Sequence, residues 1–443
     1  MRNFFKDKNT QSTAASVTSA GLGMINFALL ARWVNKEILG EWVFFLAILG
    51  LLEMARTGFL GNAFQKHYFD KKSESHKNVV IGSTWKLAAV TNTVVLVFSF
   101  LLYLLCALVN PSFPYAHFFW WIPAALIAGQ INNIGVWLLS AREKYVAVLW
   151  MMSSVQVIFA LGIYLINVEI LHPNELIYIF IASQFLPGLV TTSLGYTGIS
   201  NWKMGNRMGM RTLFNFGKFT FGTSLGTSLL KSSDTLLLMP FMGPAAVALY
   251  GVPERVLRVI EVPLQGFIAA YFPPMAQANQ QEGSAALRHL LLRSMGYLFW
   301  LLLCPLALVW IFTPELIRLI AGPEFTDSQE VLKIFILYII LIPFDRLNGM
   351  ALDILNQPKY NLRKVILMVL VNILGDLIVL LNGGGITGVA YVSIATYFTG
   401  ILAGFWYLKG FIQVSISDIF KLGWMQLMKK SGLNHVTSLS RKH

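Results

Sequence analysis

The chain is written in apolar stretches about as long as a bilayer is thick. A helix needs ~20 apolar residues to cross the hydrocarbon core. Twelve such stretches follow one another, at roughly 11–32, 39–65, 79–108, 117–140, 146–167, 175–197, 214–242, 247–276, 289–313, 331–355, 361–382 and 386–408. The expected fold class is an all-α integral membrane protein with twelve transmembrane helices. Composition agrees, because only 12% of the 443 residues are charged and 56% are apolar, whereas soluble domains carry about 25% charged residues. A polar N-terminus runs directly into a first segment too long for a signal core, so no cleaved leader is expected.

The second half repeats the first. Shifting it back by 208 positions lays Asp234 on Asn26, Glu261 on Glu53, Gly266 on Gly58 and Phe272 on Phe64. Six helices per half is an even number, so both halves insert with the same orientation, related by an axis along the membrane normal. The expected organisation is two pseudo-symmetric six-helix lobes, 1–208 and 209–410, around a central cavity, with an amphipathic tail at 411–443. Ser417 is the expected cap of a short, loosely interfacial helix in that tail.

Charge sets the orientation. With the N-terminus inside, the segments assigned to the cytoplasm hold 24 of the 34 Lys and Arg residues, and the outer loops hold only Arg32, Lys36 and Arg318. That is the positive-inside pattern, and it places both termini in the cytoplasm. The net charge of +13 is then a topology signal and a contact with lipid headgroups, and no nucleic acid is expected. Cys106 and Cys304 are expected to be free thiols, no metal-ligand cluster is visible, and no cofactor is called for. Gly383-Gly384-Gly385 lacks a following Lys-Ser/Thr, so it reads as a turn and not as a phosphate loop. Without an ATP site, energy would come from a gradient.

The stretch Leu230–Pro274 carries the chemistry. Two apolar helices meet at Gly243-Pro244, and between them they hold Lys231, Asp234, Glu254, Arg255, Arg258 and Glu261. A charge near the bilayer centre costs at least ~2.5–3.5 kcal/mol, so these side chains face a polar interior. Lys231 and Arg258 each lie eleven residues from the expected outer end of their helix, roughly 16 Å deep at ~1.5 Å per residue. A fork and a point charge at one level suit a phosphate or pyrophosphate. Arg255 extends the patch outward, and Arg56 in the second span supplies a lower rung. The acids Asp234, Glu261 and Glu53, with Asp376 as a further one, are candidates for a coupling proton or sodium ion. A structural alternative stays open, since Glu53 and Arg56, Lys231 and Asp234, and Arg258 and Glu261 are all three apart and able to pair locally. Pro240, Pro253 and Pro263 are expected to interrupt the hairpin, and Pro273-Pro274 to end it.

Several stretches are similar to bacterial polysaccharide-biosynthesis membrane proteins. They are L-A-R-W-V-N-K-E-I-L-G-E-W (Leu30–Trp42), S-D-T-L-L-L-M-P-F-M-G-P-A-A-V-A-L-Y (Ser233–Tyr250), P-E-L-I-R-L-I-A-G-P-E-F (Pro314–Phe325) and G-I-T-G-V-A-Y-V-S-I-A-T-Y (Gly385–Tyr397). In order and spacing the chain resembles the Wzx-type O-antigen flippases of the multidrug/oligosaccharidyl-lipid/polysaccharide exporter superfamily. The resemblance implies a V-shaped cavity lined by the first, second, seventh and eighth helices. It implies a monomer in the bacterial inner membrane, not an enzyme, that moves an undecaprenyl-pyrophosphate-linked oligosaccharide outward by alternating access. The first helix departs from the pattern, having Asn26 where related proteins use a cation. A multidrug/cation antiporter of the same superfamily is the alternative. A membrane O-antigen ligase or polymerase is a third reading, disfavoured because no large external loop is present.

Overall fold

The computed structural model describes residues 8–70, 73–109, 115, 117–166 and 172–430. The expected inner charges Arg2, Lys6, Lys71, Lys72, Arg441 and Lys442, the outer Glu169, and the tail beyond residue 430 lie outside them.

Among the described residues the chain is helical from end to end. In order it runs α1 (Lys8–Trp33), α2 (Lys36–Arg56), a π-turn (Thr57–Gly61), α3 (Asn62–Phe69), α4 (Glu74–Val109), α5 (Phe118–Ala141), α6 (Tyr145–Leu165), α7 (Pro173–Ser193) and a short 3-10 turn (Ile199–Met204). It continues with α8 (Arg207–Met242), α9 (Pro244–Ala270), α10 (Phe272–Glu282), α11 (Ser284–Ile311), α12 (Thr313–Ile320), α13 (Ser328–Ile354), α14 (Pro358–Leu381), α15 (Gly385–Leu408) and α16 (Ile416–Lys430). Ten helices are long and apolar enough to cross a membrane, counting α2–α3 and α9–α10 as one each. The other two expected spans fall on α8, with 36 residues, and α13, with 27. Both exceed the ~20 residues that a crossing needs. Their hydropathy is lowered by charges such as Lys231, Asp234, Asp345 and Arg346.

Helix ends follow local chemistry. Asn35 and Asn206 each cap the helix that follows, accepting from the amides of Ile38 at 2.8 Å and Gly209 at 2.7 Å. Gly243 takes φ 79°, a left-handed value that a side chain resists, and Pro244 starts α9 with its φ already set. The interior prolines behave differently from expectation. Pro240, Pro253 and Pro263 sit within continuous helix, and the break comes at Tyr271, after which Pro273 and Pro274 fall in the first turn of α10. A proline in a first turn removes only an amide that had no intrahelical partner, so the pair starts a helix here.

The chain divides into two compact units, 1–248 and 249–443. The division falls after α8, later than the repeat boundary at 208/209, because α8 packs along α2 and the π-turn. In the first unit α1 lies on α6, where Asn26 Nδ2 donates to Gln156 Oε1 at 3.0 Å. The rings of Trp42, Phe45, Phe159 and Phe180 close the space between α2, α6 and α7. Gly40 lies flat against the backbone of Pro244, where a Cβ would collide. Small residues and close van der Waals fit hold such helices together, since lipid gives no hydrophobic drive between them.

In the second unit α15 packs between α13 and α14, and α11 packs on α13 and α16. The tail helix is docked and not loose. Gly296 of α11 and Gly423 of α16 bring the two backbones into contact, Trp300 Nε1 donates to the Phe420 carbonyl at 3.1 Å, and Arg288 pairs with Asp418 at 2.7 Å. Its N-terminal cap is Ser415, whose Oγ accepts from the Asp418 amide at 3.3 Å, in place of the expected Ser417.

Candidate functional site

A cavity of about 580 Å³ opens inside the first unit. This is within the ~300–1,000 Å³ range of ligand sites. Its walls come from α2, the π-turn, α3, α5, α7 and α8. The π-turn is what shapes one wall. It places Thr57, Gly58 and Asn62 on the cavity, and the Gly58 carbonyl accepts from Thr220 Oγ1 of α8 at 2.6 Å. A π-turn shifts the helical register locally and releases carbonyls from the ladder, which is why such turns recur at functional sites.

Glu53 is the one ionisable side chain lining the cavity among the described residues. Its Oε1 takes Arg56 Nη2, and its Oε2 accepts from Asn133 Nδ2 at 2.9 Å. Gly129 of α5 makes the room, since a Cβ there would lie 3.2 Å from Oε1. Arg56 stands behind the carboxylate. Its side chain is 7% exposed against 24% for Glu53, and its Nη1 donates to the Leu126 carbonyl at 2.8 Å and to Asn92 Oδ1 at 3.3 Å. The pair expected from the i,i+3 spacing is therefore present. The cation faces protein, and the carboxylate faces the cavity.

The remaining lining is neutral. Asn132 Nδ2 occupies Gln184 Oε1 at 3.1 Å, so Gln184 offers the cavity its amide protons. Asn133 spends its amide on Glu53 and offers its carbonyl oxygen. Thr223, Ser224 and Thr227 bring hydroxyls from α8, and Leu49, Met54, Ala125 and Phe180 bring apolar surface. Sequence reasoning passed over Asn133 and Gln184. The signal was there, since an amide within an apolar span must be satisfied at a cost.

The other predicted site residues distribute as follows. Lys231 lies on the exposed surface of α8 and Asp234 is half-buried one turn on. In the second unit, Arg258 Nη2 pairs with Glu254 Oε1 at 2.9 Å, one turn back, and Glu261 Oε1 accepts from Gln265 Nε2 at 2.7 Å. Arg255 is half-buried on the same helix. Asp376 is fully buried in α14. Asp345 is locked in the interior, with Lys364 Nζ at 2.7 Å from its Oδ1 and 2.8 Å from its carbonyl.

Comparison with known proteins agrees with this architecture. The model of the family described as polysaccharide biosynthesis protein matches residues 7–279, and the MatE model matches residues 220–378. A probable low-salt glycan biosynthesis flippase, Agl15 of Haloferax volcanii, is 21% identical over 413 residues, covering 93% of this chain and 84% of that one. The structure of the lipid II flippase MurJ in an inward closed conformation superposes with a TM-score of 0.73 at 14% identity, covering 94% of this chain and 90% of that one. An inward-facing multidrug resistance MATE family transporter of the MOP superfamily gives a TM-score of 0.69 at 14% identity, covering 91% and 95%. The fold is thus that of these transporters, and with more than half its length matched by the family model, the chain belongs to the polysaccharide biosynthesis protein family.

Proposed function

We propose that the protein is a flippase for a lipid-linked oligosaccharide. The substrate is an undecaprenyl-pyrophosphate-linked repeat unit of a surface glycan. It is carried across a bacterial inner membrane from the cytoplasmic leaflet by alternating access of the two six-span lobes, 1–208 and 209–410. Family membership supports the substrate class, as does the likeness to the probable glycan biosynthesis flippase of Haloferax. The single observation that carries the reading is a cavity within a bundle of membrane spans whose walls set amides and hydroxyls beside apolar surface. A lipid-only transporter has no use for such walls, because each unsatisfied polar group in an apolar setting costs free energy.

Roles follow from charge. The pyrophosphate is assigned to Lys231, Arg255 and Arg258, and the coupling proton or sodium ion to Asp234, Glu261 and Glu53. Both termini are placed in the cytoplasm by the basic inner loops. A multidrug/cation antiporter is the second reading, favoured by the cavity-facing carboxylate of Glu53 and by the match of residues 220–378 to the MatE model.

The test is reconstitution of the purified protein into vesicles that carry an undecaprenyl-pyrophosphate-linked oligosaccharide in both leaflets, with added impermeant glycosidase. The expected result is complete digestion with the protein and about half digestion without it. Lys231→Ala and Arg258→Ala should abolish the gain while the protein still inserts. Half digestion with the intact protein, together with gradient-driven uptake of ethidium, would replace the flippase by the antiporter.

A further inference from the structure

We infer that the cavity around Glu53 is a saccharide subsite that excludes the pyrophosphate, and that Arg56 is a positioning residue for it and not an anion ligand. The inference rests on the flippase reading above and names which part of the substrate this cavity takes.

Charge is the first ground. A pyrophosphate seeks exposed cations, and the cavity presents a carboxylate. Arg56 is turned away, with Nη2 on Glu53 and Nη1 on the Leu126 carbonyl. An anion entering here would meet Glu53 before it met Arg56. Like charges brought to close range repel, which selects against such a ligand.

Hydrogen-bonding character is the second ground. Three fixed groups of different kind converge: the Glu53 carboxylate as acceptor, the Asn133 carbonyl as acceptor and the Gln184 amide as donor. Each is held by a second partner, so little freedom remains to be lost on binding. A ring of hydroxyls is the ligand that matches mixed donors and acceptors without charge, because each hydroxyl both gives and accepts. Phe180 adds a flat apolar surface, and Trp42 at 5.6 Å and Phe159 at 6.2 Å between ring centres keep it in place. A sugar has an apolar face of C–H groups to lay on it.

Register is the third ground. On α8 the positions Ser224, Thr227 and Lys231 recur at helical spacing, and the first two line the cavity. Lys231 lies one turn past Thr227 and two past Ser224, roughly 6 and 10 Å along the axis. A pyrophosphate held at Lys231 would place its attached sugar among these hydroxyls. The order along α8 puts the sugar on the side of the inner loop and the phosphate deeper.

The experiment measures binding of two probes to the full-length protein in nanodiscs: undecaprenyl pyrophosphate alone, and the same lipid bearing one N-acetylhexosamine. The expected result is at least tenfold tighter binding of the glycosylated probe. Asn133→Ala and Gln184→Ala should each weaken that probe about 5–10-fold, the contribution of one hydrogen bond, with the bare lipid unchanged. Unchanged bare-lipid binding doubles as the control for folding. Arg56→Ala should act like Asn133→Ala, and Arg56→Lys should restore part of the loss. Lys231→Ala should weaken both probes alike. Equal affinity of the intact protein for both probes, or no effect of the amide variants, overturns the subsite and leaves the flippase standing. An Arg56→Ala variant that weakens both probes equally makes Arg56 an anion ligand and overturns its positioning role. Failure of the intact protein to bind either probe removes the flippase reading itself.

Discussion

Two buried ion pairs, one in each unit, show how differently a charge is used within a membrane span. Glu53–Arg56 is half open, with the carboxylate looking into the cavity. Asp345–Lys364 is closed, with side chains 7% and 2% exposed. A closed pair does no binding, and its cost is carried by fit. Removing one partner from a buried pair leaves an uncompensated charge and costs about 3–5 kcal/mol. Asp345→Ala is therefore expected to lower the unfolding temperature of the purified protein by several degrees and to reduce its yield. Replacing both members with apolar residues of similar volume, Asp345→Leu with Lys364→Met, should recover most of that loss. Thermal unfolding in detergent checks both, and a double variant as unstable as the single one would show that the pair does more than neutralise itself. At this scale the sequence was legible where a cation has one acid within a turn. The spacing of Glu53 and Arg56 announced their pairing, whereas Arg258 had acids both at i−4 and at i+3, and spacing alone could not choose Glu254. Asn133, 80 positions from Glu53, was out of reach because no local rule links two spans.

The interruption in the second span of each half organises the elements. In the first unit helix gives way to the π-turn at Thr57–Gly61, and in the second it breaks at Tyr271. Under the shift of 208 positions these breaks nearly coincide, an echo of the internal repeat that residue identities alone carry only weakly. The π-turn meets α8 through Thr220 Oγ1, which donates to the Gly58 carbonyl at 2.6 Å, and through the Phe59 ring, which packs on Phe214 and Phe221. Thr220→Val keeps the shape and removes that donor. Losing that hydrogen bond costs ~0.5–1.5 kcal/mol, so transport should fall several-fold while the protein inserts normally. A rate unchanged in the vesicle digestion assay would mean the turn holds its geometry without the hydroxyl. The tail helix makes a second case. At Gly296 a Cβ would lie 2.8 Å from the Ile419 carbonyl carbon and 2.9 Å from the Gly423 Cα, and backbone cannot step aside as a side chain does. Gly296→Leu should release α16, read as faster proteolysis near Lys421 and Lys429 with the transmembrane fragment intact. The sequence revealed that this helix exists but not that it docks, since docking depends on two glycines that meet only when both helices are built.

For the molecule as a whole, orientation in the membrane is the property on which every functional assignment depends. The ordering of sugar before phosphate along α8 is useful only if the loop before α8 faces the compartment where the glycan is made. Charge bias in the loops predicts that orientation. The connection between α13 and α14 is followed at once by Lys359, Arg363 and Lys364, whereas the connection between α12 and α13 carries Glu324 and Asp327. Insertion keeps basic loops inside, and acidic ones contribute little to the choice. Free thiols make the measurement straightforward, since Cys106 and Cys304 are unpaired and can be changed to serine to give a blank background. Thr326→Cys, in the acidic connection, should then react with an impermeant maleimide added to intact cells. Gln357→Cys, before the basic turn of α14, should react only after permeabilisation. Neither residue lies inside an apolar span, so both thiols meet water and differ only in the side from which it comes. The reverse labelling would turn α8 over, put the hydroxyl stripe nearer the outside than Lys231, and make the protein an importer by the same geometry that otherwise makes it an exporter.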